Sequence, residues 1–352
     1  MCVKGKISYS SPSNIAIVKY WGKEPGDQIP MNPSLSMTLD QCRSFTTITY
    51  EVKKGMSPVL EVYFDGSRAH DIEAKLQRWF TKISYFFSWL AYSRLMIETR
   101  NNFPHSAGIA SSASGMSAMA MCLSAIDGHV CGDDQAKLEL QSNVARLGSG
   151  SASRSVMGPW VAWGTTPHME EASNDHAVVF PRVHPAFQKL NDTIIVLDKK
   201  PKSISSRDGH TLMEGHPWRQ GRIAQAHENF STLKFALQNG DWEAFERVTE
   251  NEALSLHALM LASKGGMMLW NGASVEWMHL LRDYRKQTGV QMAFTLDAGA
   301  NIHLIYPDAA RNEVLKLLKT NYVSEVELIH DHTGNGPEKL LDVYENCGEN
   351  KV

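Results

Sequence analysis

A loop rich in small residues and hydroxyl groups is the first feature of this sequence that is suited to binding phosphate. It spans residues 102–115 and contains Ser111, Ser112 and Ser114 just before a run of small and apolar residues. Backbone N–H groups at a helix start are unsatisfied and partly positive, so such a loop can surround phosphate oxygens. The loop has neither the Walker A pattern nor the G-x-G-x-x-G pattern. A helix start that packs tightly without a ligand is the alternative interpretation.

A second loop, at residues 146–155, combines serine hydroxyls with two guanidinium groups. Its members include Ser149, Gly150 and Ser151, with Arg146 and Arg154 on either side. Arginine can hold a carboxylate or a phosphate through two parallel hydrogen bonds, so the loop is suited to an anionic ligand. A flexible surface turn would have a similar composition.

Two lysines and two aromatic residues follow the apolar run at residues 15–18. They are Lys19, Tyr20, Trp21 and Lys23. Positive charge at the end of a strand suits a ligand that carries phosphate. The alternative is that both lysines are solvated and both aromatic residues only pack.

One acidic turn lies between two apolar runs in the second half of the chain. Asp297 opens the sequence Asp-Ala-Gly and is flanked by apolar segments at 292–296 and 302–306. A carboxylate at the tip of such a turn could orient or deprotonate a hydroxyl group. An aspartate that stabilises its own turn by a local hydrogen bond is the alternative.

The elements that must position these residues differ between the two halves of the chain. In the first half, alternation and β-branched residues predict strands, several of them antiparallel, at 7–9, 15–18, 45–52, 60–64 and 96–98. Apolar residues at three- and four-residue intervals predict a long helix over 72–90 and a second helix over 116–126. The second half predicts strands at 192–198, 292–296, 302–306 and 323–329, and helices at 222–238, 242–261, 275–288 and 309–318.

This pattern predicts an α+β fold of two lobes, with one domain at 1–190 and a second at 191–352. A chain of 352 residues with 43% hydrophobic residues can build two such cores. No Pro/Gly/Ser linker divides the chain, so we expect the two lobes to share an extensive boundary.

Charge and composition exclude several classes of partner. The net charge of -3 provides no general field that attracts nucleic acid or anionic lipid. No secretory start and no run of about 18 apolar residues is found, so we expect no membrane partner. The five cysteines form no C-x-x-C pair, which predicts reduced thiols and a cytoplasmic location.

Taken together, the four motifs resemble the GHMP superfamily and, within it, the mevalonate 5-diphosphate decarboxylase family. The matching segments are Asn14-Ile-Ala-Ile-Val-Lys-Tyr-Trp-Gly-Lys23, Ala110-Ser-Ser-Ala113, Gly148-Ser-Gly-Ser-Ala152 with Arg154, and Thr295-Leu-Asp-Ala-Gly299. Their order and approximate spacing agree with that family from about residue 11 to beyond residue 306. The resemblance implies a two-lobed GHMP kinase-like fold, with a mixed sheet in the first lobe and a ferredoxin-like second lobe. It also implies a homodimer.

The resemblance further implies a reaction on a small phosphorylated carboxylic acid. ATP, with Mg²⁺, would phosphorylate the C3 hydroxyl of mevalonate 5-diphosphate, and loss of phosphate and CO₂ would give isopentenyl diphosphate. Three alternatives remain open. They are a decarboxylase acting on the monophosphate, a GHMP small-molecule kinase that does not decarboxylate, and a nucleotide sensor without catalysis.

Carried over residue by residue, the resemblance implies roles for the polar groups of all four motifs. Asp297 is the catalytic carboxylate, Arg154 holds the substrate carboxylate, and Lys23 is a third catalytic residue. Substrate binding is assigned to Tyr20, Lys23, Ser149, Gly150, Ser151, Arg154, Ser206 and Arg207. ATP binding is assigned to Ser106, Gly108, Ala110, Ser111, Ser112 and Ser114, with Ser112 also as the Mg²⁺ ligand.

The sequence departs from the family pattern beside the predicted phosphate site. His210 stands where the family commonly has methionine, in a segment that resembles its Ser-Ser-x-x-Gly-Met element. No charged catalytic group is lost by this change. It bears on how many phosphates the substrate carries.

Overall fold

The structure, a computed structural model, describes residues 2–104, 109–132, 137–199, 206–320 and 326–346. Its strands are β1 (Cys2–Val18), β2 (Lys23–Glu24), β3 (Ile29–Pro30), β4 (Ser34–Lys53), β5 (Val59–Phe64), β6 (Ser67–Arg68), β7 (Ser93–Asn101), β8 (Trp160–Trp163), β9 (Val178–Val179), β10 (Leu190–Val196), β11 (Ala293–Thr295), β12 (Ile302–Pro307), β13 (Glu327–His332) and β14 (Glu338–Asn346). Its helices are α1 (His70–Ile83), α2 (Ser111–Cys131), α3 (Leu138–Gly148), α4 (Ser206–Thr211), α5 (Arg219–Asn239), α6 (Trp242–Ala262), α7 (Gly272–Thr288) and α8 (Arg311–Thr320).

The first lobe is built on an eight-stranded sheet. Its main path runs β14-β1-β4-β7-β5-β6, and β8 and β9 extend it from β4. Ile7, Ile48 and Ile97 are register partners across β1, β4 and β7, and all three are fully buried. They share one apolar core with Leu123 of α2 and Trp79 of α1, so β-branched residues form the sheet face that the helices cover.

The second lobe is built on a four-stranded antiparallel sheet in the order β11-β12-β10-β13. Its core joins Phe294 and Leu304 of the sheet to Leu281 of α7 and Leu317 of α8. The α+β class and the two-lobed architecture are therefore as predicted. The last strand, β14, returns to the first lobe and pairs antiparallel with β1.

Two predicted boundaries in the first lobe are wrong. The runs at 7–9 and 15–18 belong to one strand, β1, because the buried serines between them continue its pairing with β4, and Ser10 Oγ accepts a hydrogen bond from Arg43 Nε at 3.0 Å. The helix predicted over 72–90 ends at Ile83, and the apolar pattern continues in a 3-10 turn, Ser88–Tyr92. Burial of Phe87 and Leu90 therefore needs no helix, which is why their spacing misled the prediction.

Two features of the described ranges bear on the predictions about membrane spans and cysteines. No helix in them is long and apolar enough to cross a bilayer. Cys2, Cys42, Cys122 and Cys131 form no disulfide among the described residues.

Candidate functional site

An ion pair between the two lobes marks the centre of the site. Lys19 directly follows β1, and Asp297 lies in the turn between β11 and β12; Lys19 Nζ donates to Asp297 Oδ1 at 2.8 Å. The lysine side chain is 2% exposed and the carboxylate 26%. A buried ammonium needs a partner of opposite charge, and Asp297 remains open enough to reach a ligand.

Lys19 is the main residue that the sequence interpretation left undecided. The sequence allows either a solvated lysine or one that binds phosphate at this position. In the structure the side chain is buried against Asp297. The sequence feature that indicates this burial is the continuous apolar run that precedes Lys19. A strand that is buried on both faces is followed by side chains that also lie inside the protein.

Arg154 is held by three polar side chains from two strands, β1 and β4. It lies in the 3-10 turn Gly150–Val156. Its Nη1 donates to Ser34 Oγ at 2.6 Å, and its Nε donates to Ser36 Oγ at 3.1 Å and to Asn14 Oδ1 at 3.4 Å. Sequence reasoning missed these three partners, because each is an ordinary polar residue of a strand whose role depends on the fold.

The electrostatic surroundings keep Arg154 charged at neutral pH. Burial lowers the pKa of its guanidinium to about 10, and the nearby carboxylate of Asp297 opposes that shift. The group also lies over the ring of Trp163, 5.8 Å from its centroid. Within the described ranges Nη2 makes no hydrogen bond, so the arginine retains donor capacity for an anion.

The first and second small-residue loops meet in a row of hydroxyl groups. Ser112 Oγ lies 3.3 Å from Ser149 Oγ, which lies 3.4 Å from Ser151 Oγ. The main chain of Ser151 is fixed by Asn14, whose Nδ2 donates to its carbonyl oxygen at 3.2 Å. The structure thus brings together three serines that the sequence predicted for two different ligands.

The start of α2 has the features of an anion site. Ala110 adopts a left-handed conformation with φ of 49°, and no described side chain caps the helix. The Ala113 N–H donates to the Ala110 carbonyl oxygen at 2.8 Å, which leaves the N–H groups of Ser111 and Ser112 for an anion, beside their hydroxyls. The predicted ligands Ser106 and Gly108 lie outside the described residues.

Ser114 differs from its neighbours. It is fully buried, its hydroxyl lies 2.7 Å from Ser44 Oγ, and it also donates to the carbonyl oxygen of Ser111 at 3.3 Å. Its side chain therefore fastens α2 to β4. This placement does not favour the predicted contact with phosphate.

Tyr20 and Gly150 form a close-packed wall of the site. A Cβ atom on Gly150 would lie 2.7 Å from Tyr20 Oη and 2.9 Å from the Trp163 ring, so a side chain there would displace one of them. Burial raises the pKa of the Tyr20 phenol, which stays protonated. Its buried oxygen has no hydrogen-bond partner in the described part of the chain. An unsatisfied donor of this kind is expected where a polar ligand binds.

His210 links α4 to the motif that follows β1. Its Nδ1 accepts a hydrogen bond from the Gly22 N–H at 2.9 Å, so the ring proton lies on Nε2. The ring packs on Tyr20 and Trp21, with centroids 4.2 Å and 5.0 Å apart. The residue that departs from the family pattern is thus part of the wall that contains Tyr20.

The surroundings of His210 keep it neutral. Burial lowers its pKa to about 3, and the charges of Lys23 and Arg154 act in the same direction. Lys23 lies in β2, close enough to influence this ring. Ser206 and Arg207 open α4, but their side chains are outside the described part of the structure.

The fold and the site together define the class of the protein. Two lobes, a helix start suited to anions and a carboxylate of the second lobe that contacts the first are the features of the GHMP superfamily. Residues 11–174 match the diphosphomevalonate decarboxylase-like N-terminal domain, and residues 193–350 match the mevalonate 5-diphosphate decarboxylase C-terminal domain.

Relatives with similar sequences identify the family within this superfamily. The chain is 32% identical to a diphosphomevalonate decarboxylase of Ganoderma lucidum, over 92% of this chain and 84% of the relative. It is 31% identical to the enzyme of Candida albicans, over 95% of this chain and 98% of the relative. The chain belongs to the diphosphomevalonate decarboxylase family.

Two solved structures show how far the likeness in fold extends. Mevalonate diphosphate decarboxylase from Staphylococcus aureus superimposes with a TM-score of 0.83 at 26% identity, over 97% of this chain and 99% of the other. A structure described as MDDEF in complex with MVAPP, AMPPCP and magnesium gives a TM-score of 0.81 at 25% identity, with the same coverage.

Proposed function

We propose that this protein catalyses the ATP-dependent decarboxylation of mevalonate 5-diphosphate to isopentenyl diphosphate. The observation that carries the proposal is the ion pair of Lys19 with Asp297. The same carboxylate of the second lobe lies close enough to the buried guanidinium of Arg154 to act on its pKa. Family membership supports the same reaction.

ATP and Mg²⁺ fit the start of α2. Open N–H groups and the hydroxyls of Ser111 and Ser112 are the donors expected for a polyphosphate, and Ser112 is the proposed Mg²⁺ ligand. The complex of the related MDDEF with AMPPCP and magnesium supports this assignment. ATP, when bound there, supplies the phosphoryl group.

The substrate fits the remaining donors. Arg154 would hold the carboxylate of the substrate through a two-pronged hydrogen bond. The diphosphate would be bound by Ser149, Ser151, Tyr20 and Lys23 together with the main chain of Gly150, and by Ser206 and Arg207 of α4. The unsatisfied Tyr20 hydroxyl supports the placement of an acceptor on this side of the site.

The reaction follows from the placement of Asp297. Its carboxylate would orient the C3 hydroxyl and take its proton as that oxygen forms a bond to phosphorus and ADP leaves. The ammonium of Lys19 would stabilise negative charge that develops on the reacting oxygens. Departure of phosphate from C3, with cleavage of the bond to the carboxyl carbon, then releases CO₂, and the electrons of that bond form the new double bond.

A panel of three substrates tests this proposal. ADP and CO₂ are measured in parallel with mevalonate, its 5-phosphate and its 5-diphosphate. We expect one CO₂ for each ADP with the diphosphate, and little turnover with the other two. ADP release without CO₂ would indicate a kinase, turnover only with the monophosphate would indicate the sister decarboxylase, and nucleotide binding without turnover would indicate a sensor.

We also propose a homodimer that forms through the edge strand β14. Among the described strands, β14 pairs only with β1, and Leu341 and Val343 on it are 38% and 52% exposed. Antiparallel pairing of two copies about Asp342 would place Lys339 opposite Glu345 and Leu341 opposite Val343. Opposite charges and apolar residues would then be matched across the interface.

The remaining proposals concern the division of the chain and its location. We propose the domain boundary at 190/191, with β14 as a strand that the second domain contributes to the sheet of the first. A cytoplasmic location is proposed from the cysteine pattern, which is that of reduced thiols.

A further inference from the structure

A buried ion pair lies behind the site, between α5 and α6. Arg222 Nη1 and Nη2 donate to Glu252 Oε1 and Oε2, each at 2.8 Å, and the two side chains are 1% and 0% exposed. Such pairs lose hydration on burial and are often no more stable than apolar residues of the same volume. Its position therefore calls for a reason other than stability.

The pair holds the main chain of Lys19. The Lys19 N–H donates to Glu252 Oε2 at 2.8 Å, and the Lys19 carbonyl oxygen accepts from Arg222 Nη2 at 2.8 Å and from Asn32 Nδ2 at 2.9 Å. Lys19 lies one residue beyond β1, where strand pairing no longer satisfies its peptide groups. The second lobe thus satisfies the backbone of a residue that belongs to the first.

The same helix also holds the other member of the central ion pair. His257 of α6 donates from Nε2 to the carbonyl oxygen of Asp297 at 3.1 Å, and its ring is stacked on Trp270 at 4.7 Å. Glu252 and His257 are five residues apart, which is about 7.5 Å along a helix axis. One rigid helix therefore contacts the main chain of both Lys19 and Asp297.

We infer that Arg222, Glu252 and His257 are positioning residues, which set the separation and orientation of Lys19 and Asp297 through their main chains. This inference rests on the proposed function only in taking Lys19 and Asp297 as the reacting pair. The placement of reacting groups strongly affects the rate of phosphoryl transfer, so a small displacement of Lys19 should reduce turnover more than binding.

The test is Glu252→Gln, measured as ADP release, alone and combined with Lys19→Met. The single acceptor oxygen of an amide cannot replace both carboxylate oxygens, which together accept from Arg222 Nη1, Arg222 Nη2 and the Lys19 N–H, so at least one of these contacts is lost. We expect kcat to fall about tenfold, with KM for ATP and for the diphosphate substrate changed by less than about twofold. In the Lys19→Met background the same substitution should have little further effect, because its target is gone.

Glu250→Gln is the matched control. Glu250 lies on the same helix and accepts from Arg282 at 2.8 Å and Arg285 at 2.5 Å, away from Lys19. This variant should lose stability and keep kcat. If Glu252→Gln does not fold, the apolar pair Arg222→Met with Glu252→Leu removes the same contacts without leaving a buried charge unpaired.

Two results would overturn the inference. One is a kcat within about twofold of the wild type after loss of the pair, and the other is an equal loss in the wild-type and Lys19→Met backgrounds. ADP release reports phosphorylation alone, so the test stands even if the wild-type protein releases no CO₂. Failure of the proposed function is therefore distinguishable from failure of this inference.

Discussion

The ion pair of Lys19 with Asp297 is the central feature of the site at the level of single residues. An ammonium that is 2% exposed would be strongly destabilising without a partner of opposite charge. The contact of the two side chains at 2.8 Å joins the two lobes and fixes the position of the carboxylate that we propose as the catalytic acid–base group. The residue-scale chemistry of the site therefore rests on a pair that joins the lobes.

His210 predicts a pH dependence of stability. Burial lowers its pKa from the ordinary 6.5 to about 3 in the folded protein, so between these pH values the unfolded chain binds a proton that the folded chain does not. The contribution of His210 to the free energy of unfolding is complete above pH 6.5. It is lost as the pH falls below that value, by up to about 1.4 kcal/mol per pH unit. In His210→Met this dependence should be absent.

Urea unfolding at pH 6.5 and pH 5 measures this effect. From pH 6.5 to pH 5 the wild-type protein should lose about 2 kcal/mol more of its unfolding free energy than His210→Met. His70→Met, at an exposed residue, serves as the control and should behave like the wild type. An equal pH dependence in the wild type and His210→Met would contradict the buried, neutral state of this ring.

Among the secondary-structure elements, the 3-10 turn Gly150–Val156 can pack against Tyr20 and Trp163 because its first residue has no side chain. Gly150→Ala would place a methyl group 2.7 Å from Tyr20 Oη, so the tyrosine or the turn must move. We expect KM for the diphosphate substrate to rise about tenfold, since two of its predicted contacts are displaced. Steady-state kinetics with varied substrate at saturating ATP measures this change.

Gly221→Ala is the matched control for that substitution. Gly221 lies in α5, where an added Cβ meets nothing within 4 Å. The variant should keep its KM and gain about 0.5–1 kcal/mol of stability, because alanine favours a helix over glycine. An unchanged KM in Gly150→Ala would show that the Tyr20 wall does not contact the substrate.

Elements with strong periodicity could be predicted from the sequence, and those that depend on distant partners could not. The helices α5, α6 and α7 lie within a few residues of their predicted bounds. Each is a long segment in which the residues that become buried recur mostly at intervals of three or four positions. β14 was missed, since its residues are mostly exposed and its partner β1 lies at the other end of the chain. The ion pair of Arg222 with Glu252 was missed for the same reason, because the two residues are 30 positions apart.

At the scale of the whole molecule, the proposed dimer depends on the edge of the larger sheet. Val343→Glu would place a carboxylate opposite Leu341 of the second copy, while its neighbour Lys6 on β1 can accommodate the charge within one copy. We expect the wild type to sediment at twice the chain mass of 39.3 kDa and the variant at that mass. Sedimentation equilibrium at several protein concentrations distinguishes the two states.

Val179→Glu is the control for this variant. Val179 lies on the short strand β9 and is 45% exposed, so the charge is added at an edge strand that the proposed interface does not use. The control should remain dimeric. A monomeric wild-type protein, or a Val343→Glu variant that stays dimeric, would contradict the β14 interface.

The whole molecule works as proposed only if the second lobe supplies the acid for a reaction on ligands held by the first. The most direct measurement is ADP and CO₂ release by Asp297→Asn with mevalonate 5-diphosphate, alongside nucleotide binding by calorimetry. We predict that both products fall together by about 10² or more while ATP still binds, because an amide cannot accept the hydroxyl proton. Near-normal turnover in this variant, or ADP release that persists while CO₂ is lost, would contradict that role for Asp297.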